Sequence, residues 1–174
     1  MTTLSKDHSM QASSRRSFVL AASAGVAALP LLGACGSGPA SARENFPVSK
    51  SEAQWRRQLT QGEYHVLREA GTERAYTSPL NKEKRPGTFV CAGCGNPVYS
   101  AAHKYDSGTG WPSFYKAIDT GAVGTSTDYK IGLPRTEVHC ADCGGHLGHI
   151  FGDGPRPTGK RHCINGVALD FRPA

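Results

Sequence analysis

Two matched cysteine pairs, Cys91-Ala92-Gly93-Cys94 and Cys140-Ala141-Asp142-Cys143, restrict this chain more than any other feature. Two close C-x-x-C turns supply four soft, deprotonated ligands to a tetrahedron with little strain, which suits one structural Zn²⁺. Such a metal clamps two loops that lie far apart in sequence. Closed four-sulfur coordination leaves no open position, so no catalysis is expected at the metal. The competing readings are two local disulfides and a thioredoxin-like redox pair. A redox C-x-x-C usually opens a helix in a βαβ unit, and neither pair here precedes a helical pattern. The gap between the pairs also far exceeds the roughly 15–20 residues of a zinc ribbon, which weakens a nucleic-acid ribbon.

A chain of 174 residues has room for one domain and a leader. Its hydrophobic fraction is only 38%, with 21 Gly and 11 Pro. Small, turn-rich domains need a staple, which favours the structural metal. The formal charge of +6 is partly carried by the leader, and no run of Lys and Arg stands outside it. Nucleic acid is therefore not an expected partner.

Ser14-Arg15-Arg16-Ser17-Phe18-Val19-Leu20 resembles a twin-arginine export signal, followed by an apolar stretch over 18–32. That stretch is too short and too rich in Ala and Gly for a permanent span. Residues 1–34 read as the signal peptide. Leu32-Gly33-Ala34-Cys35 resembles a lipoprotein box, with Cys35 as lipid anchor; Ala40-Ser41-Ala42 offers the alternative of soluble release after residue 42. Either way the protein is expected to be exported and periplasmic, held at the membrane if Cys35 is lipidated. Residues 36–50 read as a Gly/Ser/Pro/Ala-rich tether.

Ser49 to Glu52 has capping-box spacing, followed by the i, i+4 pair Trp55 and Leu59. Thr60 to Glu63 repeats the signal, so two short helices are expected, the second ending near Gly71. From Pro79 onward, short β-rich runs at 88–90, 97–100, 137–140, 147–151 and 163–171 are split by Gly, Pro, Asn and Asp. Each C-x-x-C falls at a strand end with a glycine after it (Gly95, Gly144), the form of a zinc knuckle whose N–H groups turn toward the sulfurs.

Cys163, in Arg161-His162-Cys163-Ile164-Asn165, is the downstream cysteine left without a partner. If 161–165 is extended, Arg161, Cys163 and Asn165 share one face. A guanidinium two residues from a thiol favours the thiolate when geometry brings it near. Taken alone, a free cysteine is often only a small core residue. His146-Leu147-Gly148-His149 places two imidazoles that face opposite ways on a regular strand, unless Gly148 permits a bulge. Imidazole is the usual proton carrier near neutral pH. Trp111, in Gly108-Thr109-Gly110-Trp111-Pro112-Ser113-Phe114, sits in a loop and can house an apolar group of a substrate.

Together these residues resemble the type B methionine-R-sulfoxide reductases over nearly all of 51–171. The match rests on Tyr64-His65-Val66 with Arg68-Glu69, both cysteine pairs, Tyr105-Asp106-Ser107-Gly108 leading into Gly110-Trp111-Pro112-Ser113-Phe114, His146-Leu147-Gly148-His149-Ile150-Phe151, Asp153-Gly154-Pro155 and Arg161-His162-Cys163-Ile164-Asn165.

The resemblance implies a mainly β catalytic domain over 51–174, with two antiparallel sheets and short N-terminal helices, acting as a monomer. It implies Cys163 as the nucleophile on the sulfoxide sulfur, Trp111 and more weakly Phe114 as the cage for the substrate methyl group, and His146, His149 and Asn165 around the sulfoxide oxygen. It also implies Arg161 as the group favouring the thiolate, and Cys91, Cys94, Cys140 and Cys143 as zinc ligands. Methionine-R-sulfoxide in oxidised proteins is the implied substrate, with thioredoxin or another thiol as electron donor. Many relatives carry a resolving cysteine where this chain has Thr109, so a one-cysteine cycle is expected here. The alternatives are a non-catalytic zinc-stapled binding module and a thiol–disulfide oxidoreductase working through a C-x-x-C pair.

Overall fold

A computed structural model describes residues 45–174. The expected signal sequence, Cys35, both cleavage positions and the first part of the tether lie outside the described residues. From residue 46 the chain is already anchored. Phe46 sets its ring edge-on to His139 at 5.7 Å, and the Val48 N–H donates to the Asp142 carbonyl at 2.8 Å. The tether expected up to residue 50 therefore ends earlier, because two apolar side chains find the second cysteine turn.

Helix α1 (Glu52–Gln58) starts two residues later than the Ser49–Glu52 spacing suggests: Ser51 is the N-cap and Gln54 closes the box. This register leaves Glu52 in the first turn, where its charge meets the positive end of the helix dipole. The second box forms as expected, with Thr60 and Glu63 opening α2 (Gln61–Glu69). That helix buries Tyr64, Val66 and Leu67, and Ala70 ends it in the left-handed conformation. Among the described residues no helix is long and apolar enough to cross a membrane.

The strands are β1 (Gly87–Cys91), β2 (Pro97–Ser100), β3 (Lys104–Tyr105), β4 (Ser113–Phe114), β5 (Val123–Asp128), β6 (Arg135–Cys140), β7 (His146–Phe151), β8 (Arg161–Ile164) and β9 (Leu169–Pro173). They form a three-stranded sheet, β2-β1-β9, and a six-stranded sheet, β3-β4-β8-β7-β6-β5. Every pairing is antiparallel. This is the two-sheet, mainly β architecture expected.

The run over 163–171 is not one strand. It breaks at a 3₁₀ turn, Gly166–Ala168, and its halves join different sheets. The Glu73 carboxylate accepts the Gly166 N–H at 2.5 Å and the Val167 N–H at 3.0 Å. A Cβ at residue 166 would lie 1.9 Å from Ser78 Oγ, so only glycine fits this crossing. Strand β5 escapes sequence reading because its exposed Thr and Ser side chains carry no apolar alternation.

The core includes Phe89, Val98, Tyr99, Phe114, Val138, Leu147 and Ile164, with Trp55, Val66 and Leu67 contributed by the helices. Tyr99 stacks on Phe114 with ring centroids 4.4 Å apart, and Phe89 meets Phe114 edge-on at 5.1 Å.

Candidate active site and metal centre

Cys91 ends β1 and Cys140 ends β6, so the two cysteine turns come from different sheets. Their four sulfurs all lie within 4.8 Å of one another. The Cys91–Cys143 separation is 3.7 Å and the Cys94–Cys140 separation 3.5 Å. A tetrahedral ion with metal–sulfur bonds of about 2.3 Å needs sulfur–sulfur edges of roughly 3.8 Å, and a disulfide needs about 2.05 Å. The four thiols thus fit a metal ion, and the two short separations run between turns rather than within them. The Gly95 and Gly144 N–H groups close the turns on the Cys91 and Cys140 carbonyls, at 2.7 and 2.9 Å. The Asn96 N–H turns toward the Cys94 sulfur, as a knuckle requires, and its side chain adds a donor from Nδ2 to Cys140 Sγ at 3.4 Å. Arg68 and Gln58 hold the turns from the helices, donating to the Cys143 and Gly93 carbonyls.

Cys163 is not part of this group. It lies mid-strand in β8, paired with Ser113 of β4 on one side and His149 of β7 on the other. Residues directly opposite in an antiparallel pair share a face. The face of Cys163 therefore carries Arg161, Phe151, His149, Glu137 and Ser113. His146 joins them through a bulge: the register slips by one between Val138 and His139, leaving Leu147 unpaired with β6. The two imidazoles end with centroids 5.2 Å apart. The expected bulge is present, but Gly148 serves it by absence of bulk: a Cβ there would lie 2.1 Å from the Cys163 carbonyl oxygen.

Each imidazole is held by a carboxylate. His146 Nδ1 meets Glu137 Oε1 at 2.6 Å, and His149 Nε2 meets Asp128 Oδ2 at 2.7 Å. Ser126 donates to Glu137 and Arg135 to Asp128, each at 2.5 Å. A carboxylate at Nδ1 requires a proton there, so Nε2 is the working end of His146. That atom is buried with no partner among the described residues. His146 holds Glu137 low, at about 2. The Lys130 N–H and then His149 hold Asp128 well below the carboxylate range. Burial lowers His149, against the pull of Asp128, so it stands neutral near pH 7.

The thiol itself departs from expectation. Burial pushes Cys163 above an ordinary cysteine, although Arg161 and Thr109 pull the other way. Arg161 grips Asp153 through Nε and one terminal nitrogen, both at 2.9 Å, and still favours the thiolate of Cys163 by charge and hydrogen bonding. Burial outweighs that pull, so the resting residue is a thiol rather than an anion. Alkylation of Cys163 by iodoacetamide should therefore keep rising with pH above the range of an exposed cysteine, and Arg161→Met should push that profile higher still. A rate already level at pH 7 would contradict this.

Asn165 is still extended, its N–H continuing the ladder to the Leu147 carbonyl at 2.9 Å, and it opens the 3₁₀ turn. It is buried, with Oδ1 accepting the Glu73 N–H at 2.9 Å and Nδ2 donating to the Leu147 carbonyl at 3.0 Å. One amide hydrogen remains for a ligand. Trp111 is half-buried in its loop, its Nε1–H on the Glu73 carbonyl at 3.1 Å. Phe114 needs correction: it pairs with His162, on the face away from Cys163, and is fully buried among Tyr99 and Phe89. Period-two alternation gives it to the core and not to a methyl cage. Thr109 faces the thiol, with Oγ1 4.0 Å from Cys163 Sγ, and bonds Ser107 Oγ at 2.9 Å; Ser107 in turn meets Ser113 Oγ at 2.7 Å.

Glu137, Asp128, Asp153 and Glu73 go unassigned in the sequence. Glu137 falls inside an expected strand, but a lone acid on a strand carries no signal of its partner. The other three sit at loops or strand ends, where only tertiary contact shows their use.

This face sets a thiol beside two carboxylate-held imidazoles; fold and site fit a thiol-dependent oxidoreductase on a β scaffold with four cysteines placed to hold a metal ion. The family model described as "SelR domain" matches residues 59–173. The chain is 50% identical over 128 residues to a peptide methionine sulfoxide reductase MsrB of Leptospira interrogans, covering 74% of this chain and 98% of that protein. It is 52% identical over 126 residues to a protein of the same name from Bradyrhizobium diazoefficiens, covering 72% and 91%. Mouse mitochondrial methionine-R-sulfoxide reductase B3 is 46% identical over 143 residues, covering 81% and 56%. The chain belongs to the SelR family of methionine-R-sulfoxide reductases.

Proposed function

We propose that this protein reduces methionine-R-sulfoxide in polypeptides to methionine, with Cys163 as the nucleophile. The carrying observation is the register of Cys163 opposite His149, on the face where Glu137 and Asp128 hold both imidazoles. The thiol sulfur attacks the sulfoxide sulfur as its proton passes through imidazole to the sulfoxide oxygen. The sulfur–oxygen bond of the substrate breaks, and the oxygen leaves on Cys163 as sulfenic acid. Methionine departs, reduced by two electrons. Trp111 is the candidate wall for the methyl group, and a fixed methyl position with a fixed proton carrier admits one epimer. His146 Nε2 and the spare Asn165 hydrogen are the candidate partners of the oxygen. The reduction of R-sulfoxide by the full chain with dithiothreitol, set against the S epimer, tests the reading; equal rates on both epimers would defeat it.

Recycling proceeds with one cysteine. A thioredoxin-like or other external thiol attacks the sulfenic acid, releasing water and forming a mixed disulfide that a second thiol resolves. Thr109 supports this reading, since its hydroxyl stands where a resolving sulfur would be needed and cannot form a disulfide. Thr109→Cys should convert the cycle: one turnover with peptide sulfoxide should leave the introduced sulfur bonded to that of Cys163, detected by mass spectrometry. An intramolecular disulfide on Cys163 in the unaltered protein would refute the one-cysteine cycle.

Zn²⁺ is the proposed occupant of Cys91, Cys94, Cys140 and Cys143, since four thiolates select a soft-accepting tetrahedral ion. It supplies cross-linking and no chemistry. The twin-arginine motif supports export and repair of proteins outside the cytoplasm, and the Cys35 box supports a lipid anchor.

A further inference from the structure

Five large hydrophobic side chains are exposed among the described residues: Tyr76, Tyr129, Ile131, Leu133 and Phe151. Each is tied to the reactive face. Phe151 shares that face with Cys163, under the Arg161 guanidinium at 4.5 Å. Tyr76 donates its N–H to the Gly110 carbonyl at 2.7 Å and its hydroxyl to the Gly108 carbonyl at 2.6 Å, clasping the loop of Thr109 and Trp111. Tyr129, Ile131 and Leu133 stand on the tip of the β5–β6 hairpin, 61–67% exposed. The residues at its base are Asp128 and Arg135, the pair that holds His149. Lys130 fixes the tip to the end of α2, donating to the Ala70 carbonyl at 3.0 Å.

Single exposed hydrophobics are ordinary, but three on one braced turn beside a reactive face need a reason. We infer that this hairpin tip is a specificity surface for the polypeptide substrate, binding apolar side chains about five or six residues from the oxidised methionine. The inference rests on the proposed reductase activity. Its occupant follows from continuity: a polypeptide that delivers its sulfoxide to Cys163 must cross the same face. Three strand spacings separate β8 from β5, roughly 14 Å. The tip lies about three residues beyond Ser126, the β5 residue level with Cys163, so the diagonal is about 18 Å, which an extended chain spans in about five or six residues. The tip therefore lies within reach of the substrate's own flanks. Methionine packs mainly in apolar cores, so its sequence neighbours include side chains that such a surface buries.

The test compares the full wild-type chain with Tyr129→Ser/Ile131→Ser/Leu133→Ser on three substrates. These are free methionine-R-sulfoxide, a peptide with Leu and Phe about five and six residues from the sulfoxide, and one with Ser and Gly at those positions. The wild type should favour the apolar peptide, and the variant should lose kcat/KM on that peptide by about tenfold. The other two substrates should be unaffected. An apolar preference that survives the substitutions, or a wild type without one, overturns the inference while leaving the reductase reading intact. Loss of binding to anionic lipid vesicles with an unchanged peptide profile also overturns it, assigning the tip to a membrane surface. Inactivity of the wild type on free R-sulfoxide sinks the reductase reading instead, and this inference with it.

Discussion

Cys163→Ser should abolish turnover of methionine-R-sulfoxide, by on the order of a thousandfold or more, while leaving the melting temperature nearly unaltered. A serine hydroxyl is far harder to ionise than a thiol and cannot take up the sulfoxide oxygen as a sulfenic acid does. The four remaining cysteines of the described chain stand together at the far ends of β1 and β6, where each has metal-ligand geometry. None can stand in. The size change is small and the site half-buried, so lost activity reports chemistry rather than collapse. Residual turnover above a few per cent would overturn the assignment of Cys163 as the nucleophile.

Removing the metal should unfold the domain. Structural zinc contributes on the order of 10 kcal/mol in small metal-dependent folds, comparable to the whole stability of a typical domain. Here the four cysteines would hold it between the three-stranded sheet and the six-stranded one, which are otherwise linked in sequence by short turns such as Gly166–Ala168. Chelation, or Cys91→Ser with Cys143→Ser, should abolish cooperative melting and near-ultraviolet circular dichroism together. A stripped protein that still melts cooperatively at the original temperature would show that the four cysteines do not staple the fold. Activity should fail with the fold and not before it, since the metal shell offers no open position.

Much of the site is legible in the sequence because its parts announce themselves locally. C-x-x-C turns with following glycines need no partner to be recognised, and the unpaired Cys163 follows from them by subtraction. The capping residues Thr60 and Glu63 form the box they spell. Where sequence reading fails, the cause is geometric. Phe114 and Trp111 are three residues apart in one motif, yet strand alternation sends the phenylalanine to the core. Spacing assigns Arg161 to the thiol two residues away, where it does favour the thiolate. Spacing does not show that the same guanidinium grips Asp153, eight residues away, or that burial of the thiol outweighs it.

Sequence alone singled out the two cysteine pairs, the separate Cys163 and the β character, since short-range spacing and side-chain chemistry carry those. Tertiary structure alone decided the charge state of the site. Whether Cys163 rests as thiol or anion depends on burial set against the pull of Arg161; which imidazole nitrogen works depends on Glu137 and Asp128, brought in from β6 and β5. Electrostatic energy varies with distance and dielectric, and neither quantity exists until the strands are side by side.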